Sequence, residues 1–122
     1  MGRDFSIGCS DSTCKGVSHI MFQMVKDVSQ IKDGIDIDDI PHEDKHISIE
    51  QLAIIIQSLK NDLTLVSYNS ELKTNFVDSY KFYEDDTFEK VFENCKMARD
   101  LFVDALADSI LNDENKVYWD YS

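Results

Sequence analysis

His42-Glu43-Asp44-Lys45-His46 carries the His-Glu-x-x-His string that zinc peptidases use. That chemistry needs both imidazoles on one face of a helix, one turn apart. The Glu then stands beside a metal-bound water as general base. The surroundings here are wrong for it. Charged Asp44 and Lys45 lie between the histidines, Pro41 precedes the string and Ser48 opens a fresh helix behind it. The string reads as loop, and no spacing supplies a third protein ligand. A structural zinc is the related alternative. Cys9 and Cys14 are separated by four residues and His42 and His46 by three, a Cys2His2 set with permitted Cys spacing. The long helix-containing gap between the two pairs is not that of a zinc finger. A Cys14 dyad with His19 or His42 has the residue types for nucleophilic catalysis but no oxyanion element beside it. There is no Gly-x-Ser-x-Gly elbow, phosphate-cradling Gly-rich loop or dinucleotide fingerprint. These residues point to a protein that is not an enzyme and binds no cofactor, with zinc as the alternative.

The carboxylates are more informative. Asp100, Asp104 and Asp108 repeat every four residues, and Glu89 and Glu93 begin a similar row earlier. On a helix such residues stack one above another, about 6 Å apart, close to the spacing of successive phosphates along a nucleic-acid strand. Like charges at this spacing cost roughly 0.2–0.5 kcal/mol per pair. Asp108, Asp113 and Glu114 also crowd the negative end of the helix dipole. Lys96 and Arg99 offset part of this cost. A second acidic segment, residues 33–46, holds Asp33, Asp36, Asp38, Asp39, Glu43 and Asp44. It lacks the Asp-x-Asp-x-Asp-Gly order and closing Glu of a calcium loop.

Overall charge agrees. The 122 residues carry 24 acidic and 12 basic side chains, for a net charge of −12, with Arg only at positions 3 and 99. Binders of DNA, RNA or anionic membranes displace counterions with clustered Lys and Arg, which this chain lacks. A basic protein surface is the favoured partner, because complementary fields steer encounter. A plain helical adaptor whose charge serves solubility alone is the competing reading. Tyr121, beside Asp120 and Trp119, is an expected interface anchor, whereas Trp119 leans to the core.

The elements that position these residues follow from periodicity. Residues 4–9 alternate like a short strand, and 10–16 read as a polar turn. A first helix is expected over 17–32 with Gly34 as its C-cap. Ser48 and Gln51 form a capping box for a second helix, with Ile47 and Leu52 as hydrophobic staple, ending near Leu63 before Thr64-Leu65-Val66. A third helix starts near Ser70. The fourth, capped by Asp86 with Glu89 at the box position, holds its period to Leu111. Residues 117–119 suggest a strand pairing with residues 4–9. The expected architecture is mainly α: one four-helix bundle-like domain over 1–122, with room for a small two-stranded β patch made by the chain ends. Met21, Phe22 and Ile54 look like spare apolar residues able to face a second copy, a homodimer.

No apolar run is long enough to cross a membrane and no secretory leader is visible. The three cysteines, with Cys95 on an apolar helical face, then fit a reducing, cytoplasmic setting. At the level of type alone, such a small, acidic, helical chain looks like the inhibitor proteins. These include immunity proteins and antitoxins that neutralise nucleases, and phage anti-defence proteins that act as nucleic-acid mimics. The implied mechanism is stoichiometric occlusion of a nuclease or other nucleic-acid-binding effector. Asp100, Asp104, Asp108, Glu89, Glu93, Asp36, Asp38, Asp39 and Tyr121 would make the contact.

Overall fold

Helix α4 (Phe88–Leu111) forms the spine, as its long apolar period predicts. At ~1.5 Å per residue it spans about 36 Å. The computed structural model describes residues 4–29 and 39–122. Among the described residues the order is β1 (Phe5–Ile7), β2 (Ser10–Ser12), α1 (Lys15–Ser29), β3 (His46–Ser48), α2 (Ile49–Tyr68), α3 (Lys73–Tyr80), α4 and β4 (Lys116–Tyr121). The fold is mainly α. The buried stripes of α1, α2 and α4 meet in a cluster that includes Val17, Met21, Leu52, Ile55, Leu59, Val91 and Phe102. Asp36, Asp38 and the expected Gly34 cap lie outside the described residues.

The chain ends do pair, and the sheet is larger than two strands. Four antiparallel strands run in the order β2-β1-β4-β3. β4 is central. Trp119 pairs with Ile7 on one side, and Tyr118 pairs with His46 on the other. β4 alternates as a one-sided strand should: Val117 and Trp119 are buried, Lys116 and Tyr118 exposed. The expected turn at 10–16 is instead strand β2 followed by the start of α1. Its inward residues are Ser10 and Ser12, so apolar alternation is missing. Ser18 Oγ donates to the Ser12 carbonyl at 2.7 Å and helps join β2 to α1. Gly8 opens the two-residue β1–β2 loop at φ 56°, a conformation that glycine adopts without a Cβ penalty.

The helix ends show which local signals operate. Ser48 Oγ accepts from Gln51 N at 3.1 Å, and Gln51 Oε1 accepts from Ser48 N at 2.8 Å. This is the expected capping box. α2 runs beyond Leu63 to Tyr68 because Val66 is buried in the core, and that burial outweighs the β preference of Thr64-Leu65-Val66. α4 is capped by Thr87, not Asp86; Thr87 Oγ1 accepts from Lys90 N at 3.2 Å. Asp86 instead closes the preceding turn, accepting from the Phe82 and Tyr83 amides at 2.9 Å each. Lys90 then holds the third helical position, so Glu89 cannot complete a box.

At the far end, Asp113 N donates to Ile110 O at 3.2 Å and Glu114 N to Ser109 O at 2.9 Å. This is a Schellman motif with Asp113 at φ 55° where glycine is usual. Asp113→Gly removes both a left-handed non-glycine and a carboxylate at the negative helix end. It is expected to raise stability by about 1 kcal/mol, read as a higher urea midpoint at unchanged slope.

Candidate binding surface

The inner face of α4 is buried through Val91, Cys95, Ala98, Phe102, Ala105 and Ser109, so its outer face is presented rigidly. Glu89, Glu93, Asp100 and Asp104 stand exposed on that outer face, and Asp108 is half-buried. The row is unevenly compensated. Lys96 lies 3.4 Å from Glu93, and Arg99 lies 3.0 Å from Asp100. Among the described residues Asp104 and Asp108 form no ion pair. Exposed pairs of this kind contribute little, ~0–1 kcal/mol each. The face stays net negative because Glu89, Glu93, Asp100, Asp104 and Asp108 outnumber Lys90, Lys96 and Arg99 along α4.

Two apolar residues interrupt the acids. Met97 and Leu111 share the outer stripe and are exposed. Val103 and Ile110 are exposed along one flank. The sequence periodicity contains this signal, since 93, 97, 100, 104 and 111 fall close together at ~3.6 residues per turn.

Of the other expected contact residues, Asp36 and Asp38 lie outside the described residues. Asp39, Glu43 and Asp44 are exposed, and Asp44 borders a groove with His46, Ser48, Glu50, Asn115 and Lys116. Tyr121 is half-buried. Its ring stacks on Phe22 at 4.4 Å and 14°, and tilts against Phe5 at 6.1 Å. Trp119 is buried and stacks on Phe5 at 6.0 Å, as its core assignment requires. Met21 is fully buried and Phe22 packs against the aromatic edge of the core, so of the three supposedly spare apolar residues only Ile54 is exposed.

The His-Glu-x-x-His string forms a 3-10 turn, His42–Asp44, leading into β3, and so lies in a connection as its context predicts. His42 stacks on Tyr118 at 5.8 Å, and His46 meets the same ring edge-on at 5.8 Å. His46 Nδ1–H donates to the Glu43 carbonyl at 2.6 Å. Cys9 and Cys14 are exposed, and the Cys9 thiol donates weakly to the Asp104 carbonyl at 3.7 Å. Among the described residues no three His, Cys, Asp or Glu side chains gather as a metal-binding group.

Burial, reinforced by the charge of Asp62, pushes the Cys95 thiol up to about 12. Iodoacetamide is therefore expected to label Cys9 and Cys14 in the folded chain and Cys95 only after denaturation, counted by intact mass. Burial raises the Asp120 carboxyl, but hydrogen bonds from Ser122 and Lys45 and the Lys45 charge outweigh it, leaving the group below its ordinary value. Lys45 Nζ sits 3.2 Å from Asp120, which ties β4 to the residue entering β3.

A recess of about 300 Å³ lies between α1, α2 and the end of α3, with Ile20, Met24, Val28 and Ile54 as apolar walls and His19, Asp27 and Tyr80 among its polar lining. Burial lowers the His19 pKa below its ordinary 6.5. The hydroxyl of Tyr80 donates to Asp62. Burial first, then that hydrogen bond and the carboxylate charge, push the phenol well above its ordinary range. Among the described residues no helix is long and apolar enough to cross a membrane. No protein-family model matches the chain, and no curated protein or solved structure is significantly similar to it.

Proposed function

We propose that this chain is a non-enzymatic binding protein that occludes a basic, nucleic-acid-handling surface of a partner protein in the cytoplasm. The observation that carries the reading is the outer face of α4. Its carboxylates at 93, 100, 104 and 108 are held on a helix whose opposite side is locked into the core. Rigid presentation lowers the ordering cost of docking. Met97 and Leu111 supply apolar contact among the acids, a combination suited to a partner groove with basic walls. A face of this kind accelerates encounter with a positive partner and repels nucleic acid itself. The immunity-protein, antitoxin and anti-defence types share this mode of action, in which no bond is made or broken.

The test is capture by the immobilised chain from its native host extract, with bound proteins identified by mass spectrometry. A nuclease or other nucleic-acid-binding effector is expected. Its binding should weaken steeply between about 50 and 500 mM salt and be competed by nucleic acid. Asp100→Asn, Asp104→Asn and Asp108→Asn together are expected to weaken binding at least about tenfold, chiefly through slower association. The fold should be kept, because removing like-charge pairs relieves repulsion. Capture unchanged by salt and by the triple variant would mean that the charge serves solubility only.

A further inference from the structure

A second surface stands out by its lack of charge. On the outer side of α2, Ile54, Ser58, Asn61, Leu65 and Tyr68 follow one another at helical spacing without a charged residue. Ile54 is 60% exposed, Leu65 56% and Tyr68 89%. Asp62, the acid next to this stripe, is engaged by the Tyr80 hydroxyl. In a chain of net charge −12, two copies repel each other over most of their surfaces. Between Ile54 and Tyr68 the α2 stripe keeps that repulsion low and offers apolar area.

The stripe is also self-complementary in register. Ile54 and Tyr68 lie seven residues to either side of Asn61, about 10 Å along the helix in each direction. An antiparallel pair of α2 helices with its two-fold axis at Asn61 sets Tyr68 of each copy against Ile54 of the other. Ile54 borders the recess of about 300 Å³ between α1, α2 and the end of α3, which has room for a phenol ring. Within that recess Asp27, held by Gln23 Nε2 at 3.3 Å, offers an acceptor for the Tyr68 hydroxyl. Knob and hole thus occur on one surface, as an isologous interface requires. We propose that the chain forms a homodimer through the outer face of α2, with Asn61 on the two-fold axis and Tyr68 seated in the partner copy's recess. This pairing is independent of the acidic face of α4.

Sedimentation equilibrium of the full chain tests it, from about 5 µM to about 1 mM at about 50 and 500 mM salt. The mass is expected to rise from 14.1 kDa towards twice that value. The rise should come at lower concentration in high salt, because screening weakens repulsion between like-charged copies. Tyr68→Glu, and separately Ile54→Glu, are expected to weaken association at least about tenfold while the far-UV spectrum stays unchanged, since both side chains are exposed. With Cys9→Ser and Cys14→Ser in place, Asn61→Cys is expected to cross-link into a dimer on mild oxidation, which reads the position of the axis. A chain that stays monomeric at every concentration and both salts overturns the proposal and leaves the stripe to a different partner. Association that survives both Glu variants also overturns it, and places the interface elsewhere.

Discussion

Phe102→Ala is expected to lower the unfolding free energy by about 3–5 kcal/mol, the cost of removing a fully enclosed aromatic ring and leaving a cavity. Phe102 has no solvent exposure and sits on α4 where that helix faces the shared core. A chain of this size has ~5–15 kcal/mol in total, so the variant should be marginally folded. The urea midpoint should fall by roughly 1–3 M, and the melting temperature by roughly 10–20 °C. Met97→Ala is the matched comparison on the same helix. Met97 is about half exposed, and its truncation is expected to stay within ~0.5 kcal/mol of the parent. A loss below about 1 kcal/mol for Phe102→Ala would contradict the placement of α4's inner face.

A chain ending at Asn115 is expected to lose cooperative folding altogether. The deletion is short, but it removes the central strand. β4 bonds to β1 on one side and β3 on the other, so without it β3 has no partner and β1 keeps only β2. Buried Val117 and Trp119 go with it, each accounting for about 1.5–3 kcal/mol of apolar burial. Several sheet hydrogen bonds at ~1 kcal/mol each are also lost. Among them are Gly8 N to Tyr118 O and Trp119 N to Lys45 O, both 2.9 Å. The total approaches the whole stability of the domain. Thermal melts by circular dichroism should show a broad, non-cooperative decline. A sharp transition within a few degrees of the full chain would contradict the central position of β4.

The acidic face and the core face of α4 are two sides of one periodicity, so both are legible in the sequence. The same holds for the capping box at Ser48 and Gln51, whose two hydrogen bonds join residues three apart. Interactions within one helical turn are encoded where they act, and a reading of neighbours recovers them. Even here a choice between adjacent residues escaped it. Asp86 and Thr87 are both good caps, and the geometry of the turn at 82–86 decided between them.

The remainder depended on distant partners. Strand β2 turns Ser10 and Ser12 inward, and β3 is only three residues long, so neither shows the apolar alternation that marks a strand. Their hydrogen bonds are satisfied by the neighbouring antiparallel strands, β1 for β2 and β4 for β3. The half-burial of Tyr121 is not legible in the sequence because its stacking partner, Phe22, lies far away along the chain. α2 passed its predicted end because Val66 found the core. The amino-acid order alone determined that the helices form, the N-caps of α2 and α4 to within a residue and the sign of the exposed charge, all consequences of contacts a few residues apart. Only the tertiary structure decided that β2 and β3 complete the sheet, that Phe22 and Tyr121 stack, and which apolar side chains remain on the outer faces of α2 and α4. Those outcomes depend on what the rest of the chain brings alongside.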